Sequence, residues 1–264
     1  MAHVDESKLQ AFIGKALEDM AAAASALLVF TGDKLGLYKA MANTGPLTSA
    51  ELAKRTKTAE RYIREWLRNQ AAGGYVTYDA ATDTYMLPPE HAVALADESS
   101  PAFIAGGFST IMAAARAQPK IFEAFKTGKG VGWQEHDPVL FEAAERFFRP
   151  LYNGALVSSW IPALDGVDGK LRAGAKAADV GCGHGSSTVI LAKAYPKSTF
   201  YGFDYHKPSI EIASQRAAEA GVADRAIFEV ASAKEFTDND FDLIAFFDCL
   251  HDMGDPVGAA AHTH

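Results

Sequence analysis

The sequence predicts an α/β fold with a parallel sheet in its carboxyl-terminal part, preceded by a helical domain that ends in a hairpin. Three observations carry this. The run Asp179-Val180-Gly181-Cys182-Gly183-His184-Gly185 joins an apolar strand to a helix through alternating glycines. Strands and helices then alternate as far as Phe247. Upstream, several helical periods precede two short β-rich runs around a turn. Glycine at every second position lets the backbone turn sharply and approach a ligand where a β-carbon would collide, and Ser186 to Tyr195 reads as the helix facing that ligand.

The later elements follow in order. Thr199 to Phe203 is an apolar second strand ending at Asp204, 19 residues beyond Gly185 (204 minus 185), the length of one helix and one strand. A carboxylate at that tip can accept hydrogen bonds from both hydroxyls of a ribose. Tyr205 can pack on an adenine or stand as an exposed loop residue. Ser209 to Ala220 reads as a helix stopped by Gly221, Ala226 to Val230 as a third strand and Phe241 to Phe247 as a fourth. Right-handed crossovers bring the ends of strands one, two and four to one edge, where such sheets bind ligands.

A dinucleotide fingerprint of the G-x-G-x-x-G/A type would need Gly or Ala where this chain has Ser186. The pattern acid-x-G-x-G-x-G, with Asp204 one βα unit later, instead resembles the first motif of the class I S-adenosylmethionine (SAM) methyltransferases. The resemblance implies SAM as cofactor, with Asp179 near its methionine end, Gly181, Gly183 and Gly185 as its loop and Asp204 on its ribose. Tyr205, Ser232 and Ala233 would border the adenine. Phe247 and Asp248 would lie beside the methionine moiety, the carbonyl of 247 accepting from its amine. The segment Asp248-Cys249-Leu250-His251-Asp252 resembles the His-Asp segment of small-molecule O-methyltransferases, which makes His251 the candidate general base for a substrate hydroxyl. Histidine takes up a proton near neutrality, although a histidine after a strand is also an ordinary polar loop residue. His184 reads as a variable loop position. No Cys or His spacing suggests a metal site, and His262 and His264 read as incidental tail residues.

Before these elements, Leu9, Phe12, Ile13, Ala16, Leu17, Met20, Ala24, Leu27 and Leu28 recur at helical spacing and form a long apolar face that needs a partner. Leu35 to Met41, Thr48 to Lys54 and Thr58 to Gln70 read as further helices. Tyr75 to Tyr78 and Thr84 to Leu87 flank a turn and complete a winged helix. Arg61, Arg64 and Arg68 could serve a DNA groove, and Glu51 to Gln70 holds six bases against three acids. The whole chain is nevertheless at −8 with a pI near 5.5, whereas DNA binding rests on phosphate neutralisation. A winged-helix transcription regulator is thus the alternative reading, with nucleic acid disfavoured. In the resembling methyltransferases the winged helix serves dimerisation and closes the substrate pocket, which implies a homodimer through the N-terminal helices.

Residues 1–97 are accordingly read as the winged-helix domain and 98–165 as a helical connector over the pocket. Residues 166–264 form the first half of a Rossmann-like SAM domain of about four strands. The connector carries aromatics that fit an apolar small-molecule substrate: Phe103, Phe108, Phe122, Phe125, Trp133, Phe141, Phe147, Phe148, Tyr152 and Trp160. Gly128 to Gly132 reads as a loop, without the Lys-Ser/Thr of a phosphate loop. The family sheet has seven strands and this chain ends 17 residues after Phe247 (264 minus 247), so the sequence reads as truncated. With 264 residues, 48% hydrophobic, two cysteines, no export signal and no membrane-length apolar run, a cytoplasmic enzyme is expected.

Overall fold

The computed structural model describes residues 4–237 and 240–263; the expectation for His264 lies outside them. The chain divides into two compact units, Met1–Met112 and Ala113–His264, so the connector expected over 98–165 is shared between them.

In the first unit, α1 (Glu6–Lys34) starts at Asp5, whose carboxylate accepts from the backbone N–H groups of Ser7 and Lys8, a standard N-cap. Two short helices follow, α2 (Leu37–Met41) and α3 (Ser49–Thr56). Thr48 and Glu51 close a reciprocal capping box on α3. Next come α4 (Glu60–Ala72), the antiparallel hairpin β1 (Thr77–Asp79) and β2 (Thr84–Met86), and α5 (Pro89–Leu95). The last of these is a helix that the sequence reading did not assign. Leu47 pairs with Tyr85 beside the hairpin, completing the wing. The core here is Leu37, Tyr38, Leu52, Ile63, Trp66 and Leu67 with their neighbours. Of α1 only Ala26, Val29 and Gly32 are buried; Leu9, Phe12, Ile13, Leu17 and Met20 are exposed.

The helix α6 (Ala105–Thr127) runs across the division between the units. The second unit continues with α7 (Val139–Leu151) and passes directly into a nine-residue π-helix, Tyr152–Trp160. Pro150 removes a backbone donor just before that wider winding. Then α8 (Val167–Ala173) leads into β3 (Lys176–Val180), α9 (Ser186–Ala194), β4 (Thr199–Asp204), α10 (Lys207–Glu219), β5 (Ala226–Val230), β6 (Leu243–Ala245) and α11 (Pro256–Ala261). The four strands lie in the order β5-β4-β3-β6, and every pairing is parallel. This is the strand order of one doubly wound half, with its ligand edge at the carboxyl ends of β3 and β4.

Alternation along the strands sets the two faces. Ala177 and Phe200 pack with Leu191, Tyr195 and Leu171 on one side, whereas Ala178, Val180 and Phe203 pack with Phe236 on the other. The fourth strand is shorter than expected. It spans 243–245 rather than 241–247, because only Leu243, Ile244 and Ala245 find register partners on β3. Phe246 and Phe247 leave the ladder to pack against the two clusters. His262 is more than a tail residue, since its Nε2 lies 2.9 Å from the Phe236 carbonyl and its ring meets that phenyl edge-on at 4.6 Å.

Candidate active site

A cavity of about 710 Å³ opens at the carboxyl ends of the sheet, wholly within the second unit. The glycine loop between β3 and α9 forms one wall. Gly183 has φ +52°, and a Cβ placed there would meet nothing within 4 Å, so its backbone faces open space. Gly185 serves packing instead. Its φ is +74°, and a Cβ would lie 2.7 Å from Phe228 and 2.8 Å from Ala213.

Asp204, at the tip of β4, is turned toward this loop. Its Oδ2 accepts from the Gly183 N–H at 3.0 Å and its Oδ1 from the His206 N–H at 2.8 Å. The side chain is mostly buried, and that burial pushes its pKa above the usual carboxylate value despite both hydrogen bonds. A carboxylate has about four lone-pair sites, so acceptor capacity remains for a ligand in the cavity.

Eight of the ten residues expected to hold the cofactor line this cavity: Gly181, Gly183, Asp204, Tyr205, Ser232, Ala233, Phe247 and Asp248. Asp179 and Gly185 do not. For Asp179 the reason is the pleat: odd-numbered positions of β3 face α9. Its Oδ2 accepts from the hydroxyls of Ser187 and Thr188 in the first turn of α9, tying strand to helix. Burial pushes its pKa up to about 6, with the two hydroxyls opposing and Asp204 adding to the rise. Tyr205 donates to Gln134 Oε1 at 2.9 Å, and Ser232 donates to Glu235 at 2.7 Å.

His251 also borders the cavity. Its side chain is 64% exposed, with Nδ1 3.7 Å from Asp248 and Nε2 3.4 Å from Asp252. Asp248 itself adopts φ +54°, a conformation rare outside glycine. His184 is buried and lines the cavity, and its Nδ1 has no hydrogen-bond partner. Burial, reinforced by Arg216, lowers its pKa. Among the described residues no group of three or more His, Cys, Asp or Glu is placed to hold a metal ion.

The opposite wall was less legible. Trp133, Phe141, Phe148 and Tyr152 supply an aromatic lining, with Tyr152 5.6 Å from the Phe247 ring. Glu145 stands among them and went unassigned in the sequence. It lies four residues after Phe141 and three before Phe148, so an acid sits on an otherwise aromatic helix stripe. That spacing was the available signal.

Comparison with known proteins agrees with this architecture. Residues 23–97 match the Rv2258c-like winged HTH domain and residues 171–261 match a methyltransferase domain. The 27-O-demethylrifamycin SV methyltransferase of Amycolatopsis mediterranei (strain S699) is 37% identical over 87 residues, 32% of each chain. The matched stretches span about a third of the length of such curated relatives. Among solved structures, the mitomycin 7-O-methyltransferase MmcR superposes with TM-score 0.71 at 22% identity, covering 98% of this chain and 76% of that one. Human N-acetylserotonin methyltransferase, solved in complex with SAM, gives 0.65 at 17%, covering 100% and 76%. Residues 171–261 thus form a methyltransferase domain by family match, and the fold is the one these methyltransferase structures share. More particularly, the chain joins a methyltransferase domain to an amino-terminal winged helix of the Rv2258c-like type.

Proposed function

We propose that the chain binds SAM in this cavity and transfers its methyl group to a hydroxyl oxygen of an apolar or aromatic small molecule. The observation that carries this reading is the Asp204 carboxylate held against the Gly183 backbone at the mouth of an aromatic-walled cavity. These residues suit the nucleoside: Asp204 retains acceptors for ribose hydroxyls, and Gly183 leaves room for close approach. Ser232 and Ala233 border the adenine region, and the carbonyl of Phe247 accepts from the amine.

Bound SAM supplies an electrophilic methyl on a sulfonium sulfur, displaced in line by the attacking oxygen. The residues then have two tasks. The walls hold the reactants aligned, which can lower a barrier by about 7 to 11 kcal/mol. His251, at the cavity edge between Asp248 and Asp252, takes the hydroxyl proton as the oxygen attacks. Tyr152, Phe148 and Trp133 give an aromatic acceptor flat surfaces to pack on.

The reading includes a homodimer through the exposed apolar face of α1 and a reducing cytoplasmic setting for the free thiols of Cys182 and Cys249. A DNA-binding role draws little support from α4. Arg64 is paired with Glu60, and Arg61 and Arg68 each lie 3.4 Å from Glu65, the pattern of a solvated mixed-charge helix.

Two experiments test the proposal. Calorimetric titration should give saturable binding of SAM and none of NAD. Incubation with methyl-labelled SAM and a panel of phenolic and hydroxylated acceptors should transfer label to oxygen, and the His251→Ala variant should lower the rate by about 10²-fold or more with little change in SAM affinity. Absence of SAM binding by the folded protein would overturn the reading.

A further inference from the structure

The cavity wall contains a buried acid that the roles above leave unused. The Glu145 side chain is only 5% exposed. Its Oε1 is crowded with donors: the Ser186 hydroxyl at 2.6 Å, Arg216 Nη1 at 2.9 Å and Arg149 Nη1 at 3.3 Å. Its Oε2 is buried and has no hydrogen-bond partner, although Glu145 forms part of the cavity lining. A buried carboxylate oxygen with nothing donating to it is costly, and the group that best relieves it is a cationic N–H donor.

The position of this oxygen narrows the donor. Through Oε1, Glu145 is fastened to Ser186, the first residue of the nine-residue helix α9 and the residue directly after the glycine loop. Asp204 sits on the other side of that loop, bonded to Gly183. A ligand whose nucleoside lies at Asp204 therefore extends its far end past the loop toward Glu145 and the start of α9. Helix starts favour negative charge, so the complement offered there is a zwitterion, its anionic end at Ser186 and Ser187 and its cationic end at the acid.

We propose that Glu145, through Oε2, is the acceptor that recognises the α-ammonium of the cofactor's amino-acid end, an inference that rests on the SAM reading above. An ammonium has three N–H donors, so Glu145 adds to the Phe247 carbonyl rather than replacing it. The terminal torsion of a glutamate is soft, so a modest turn of the whole carboxylate adjusts both oxygens to an incoming donor. The role is binding and positioning, with no bond made or broken.

The test compares three ligands on the full chain by calorimetry: S-adenosylhomocysteine, its analogue lacking the amine, and 5′-methylthioadenosine, which lacks the whole amino-acid end. Wild type should bind S-adenosylhomocysteine about tenfold or more tightly than the desamino analogue, the scale of one hydrogen bond between charged groups. Glu145→Gln should cut that preference about threefold or more, the remainder belonging to the Phe247 carbonyl, and should leave 5′-methylthioadenosine within about twofold of wild type. Equal losses on all three ligands would make Glu145 merely structural and overturn the inference. So would a wild type indifferent to the amine, a comparison that needs no variant to fold. If wild type binds the nucleosides without preferring the amine, only this inference falls. If it binds none of the three, the SAM reading falls with it.

Discussion

At the residue scale, two aspartates that look alike in the sequence do different work. Asp204 faces the cavity and Asp179 faces α9. Asp204→Ala should weaken S-adenosylhomocysteine by about 10- to 100-fold in calorimetry, as expected when a hydrogen-bonded carboxylate is removed from a ligand, while the sheet stays folded. For Asp179 the readout is stability against pH. Its folded pKa of about 6 lies above the ordinary value of 3.8. The neutral form therefore favours the fold below about pH 4, and that contribution is lost as pH rises through 6. At roughly 1.4 kcal/mol per tenfold, the cost of ionising it in place is of order 3 kcal/mol. Asp179→Asn keeps an acceptor for Ser187 and Thr188 without that cost. Denaturant melts should show the variant gaining on wild type between pH 4 and 8; a constant difference across that range would contradict the assignment.

At the scale of elements, the glycine loop separates backbone demand from packing demand. Gly183 and Gly185 both have positive φ, but only Gly185 is walled in, by Phe228 and Ala213. Gly185→Ala should cost about 2 to 4 kcal/mol of unfolding free energy, from strain and overpacking together. Gly183→Ala should cost about 1 kcal/mol and should show its main effect in weaker nucleoside binding. Periodicity places α9, β4, α10 and β5 within two residues, because strand burial and helix stripes are local patterns. It failed at Phe241 to Phe247, where an apolar run does not reveal how far its ladder extends. It also missed α5, α8 and α11, which are short and take their stability from packing rather than from a long stripe.

At the scale of the whole molecule, the exposed face of α1 is the feature in need of explanation. Phe12 is 68% and Met20 60% exposed, far more apolar surface than a solvated helix requires. If this face joins two copies, sedimentation should give a dimer, and Phe12→Glu with Met20→Glu should shift it to monomer at micromolar concentration while leaving the melting of each copy cooperative. A monomeric wild type would end that reading. The sequence alone determined the fold class of the second unit, because an acid, three spaced glycines and a second acid one βα unit later are constraints set by the local order of strand, loop and helix. Only the tertiary structure decided which acid meets the cavity and that Glu145 stands in the wall with an unpartnered oxygen. Those outcomes depend on which face of a strand or helix meets which neighbour, and that is fixed by contacts between residues far apart in the chain.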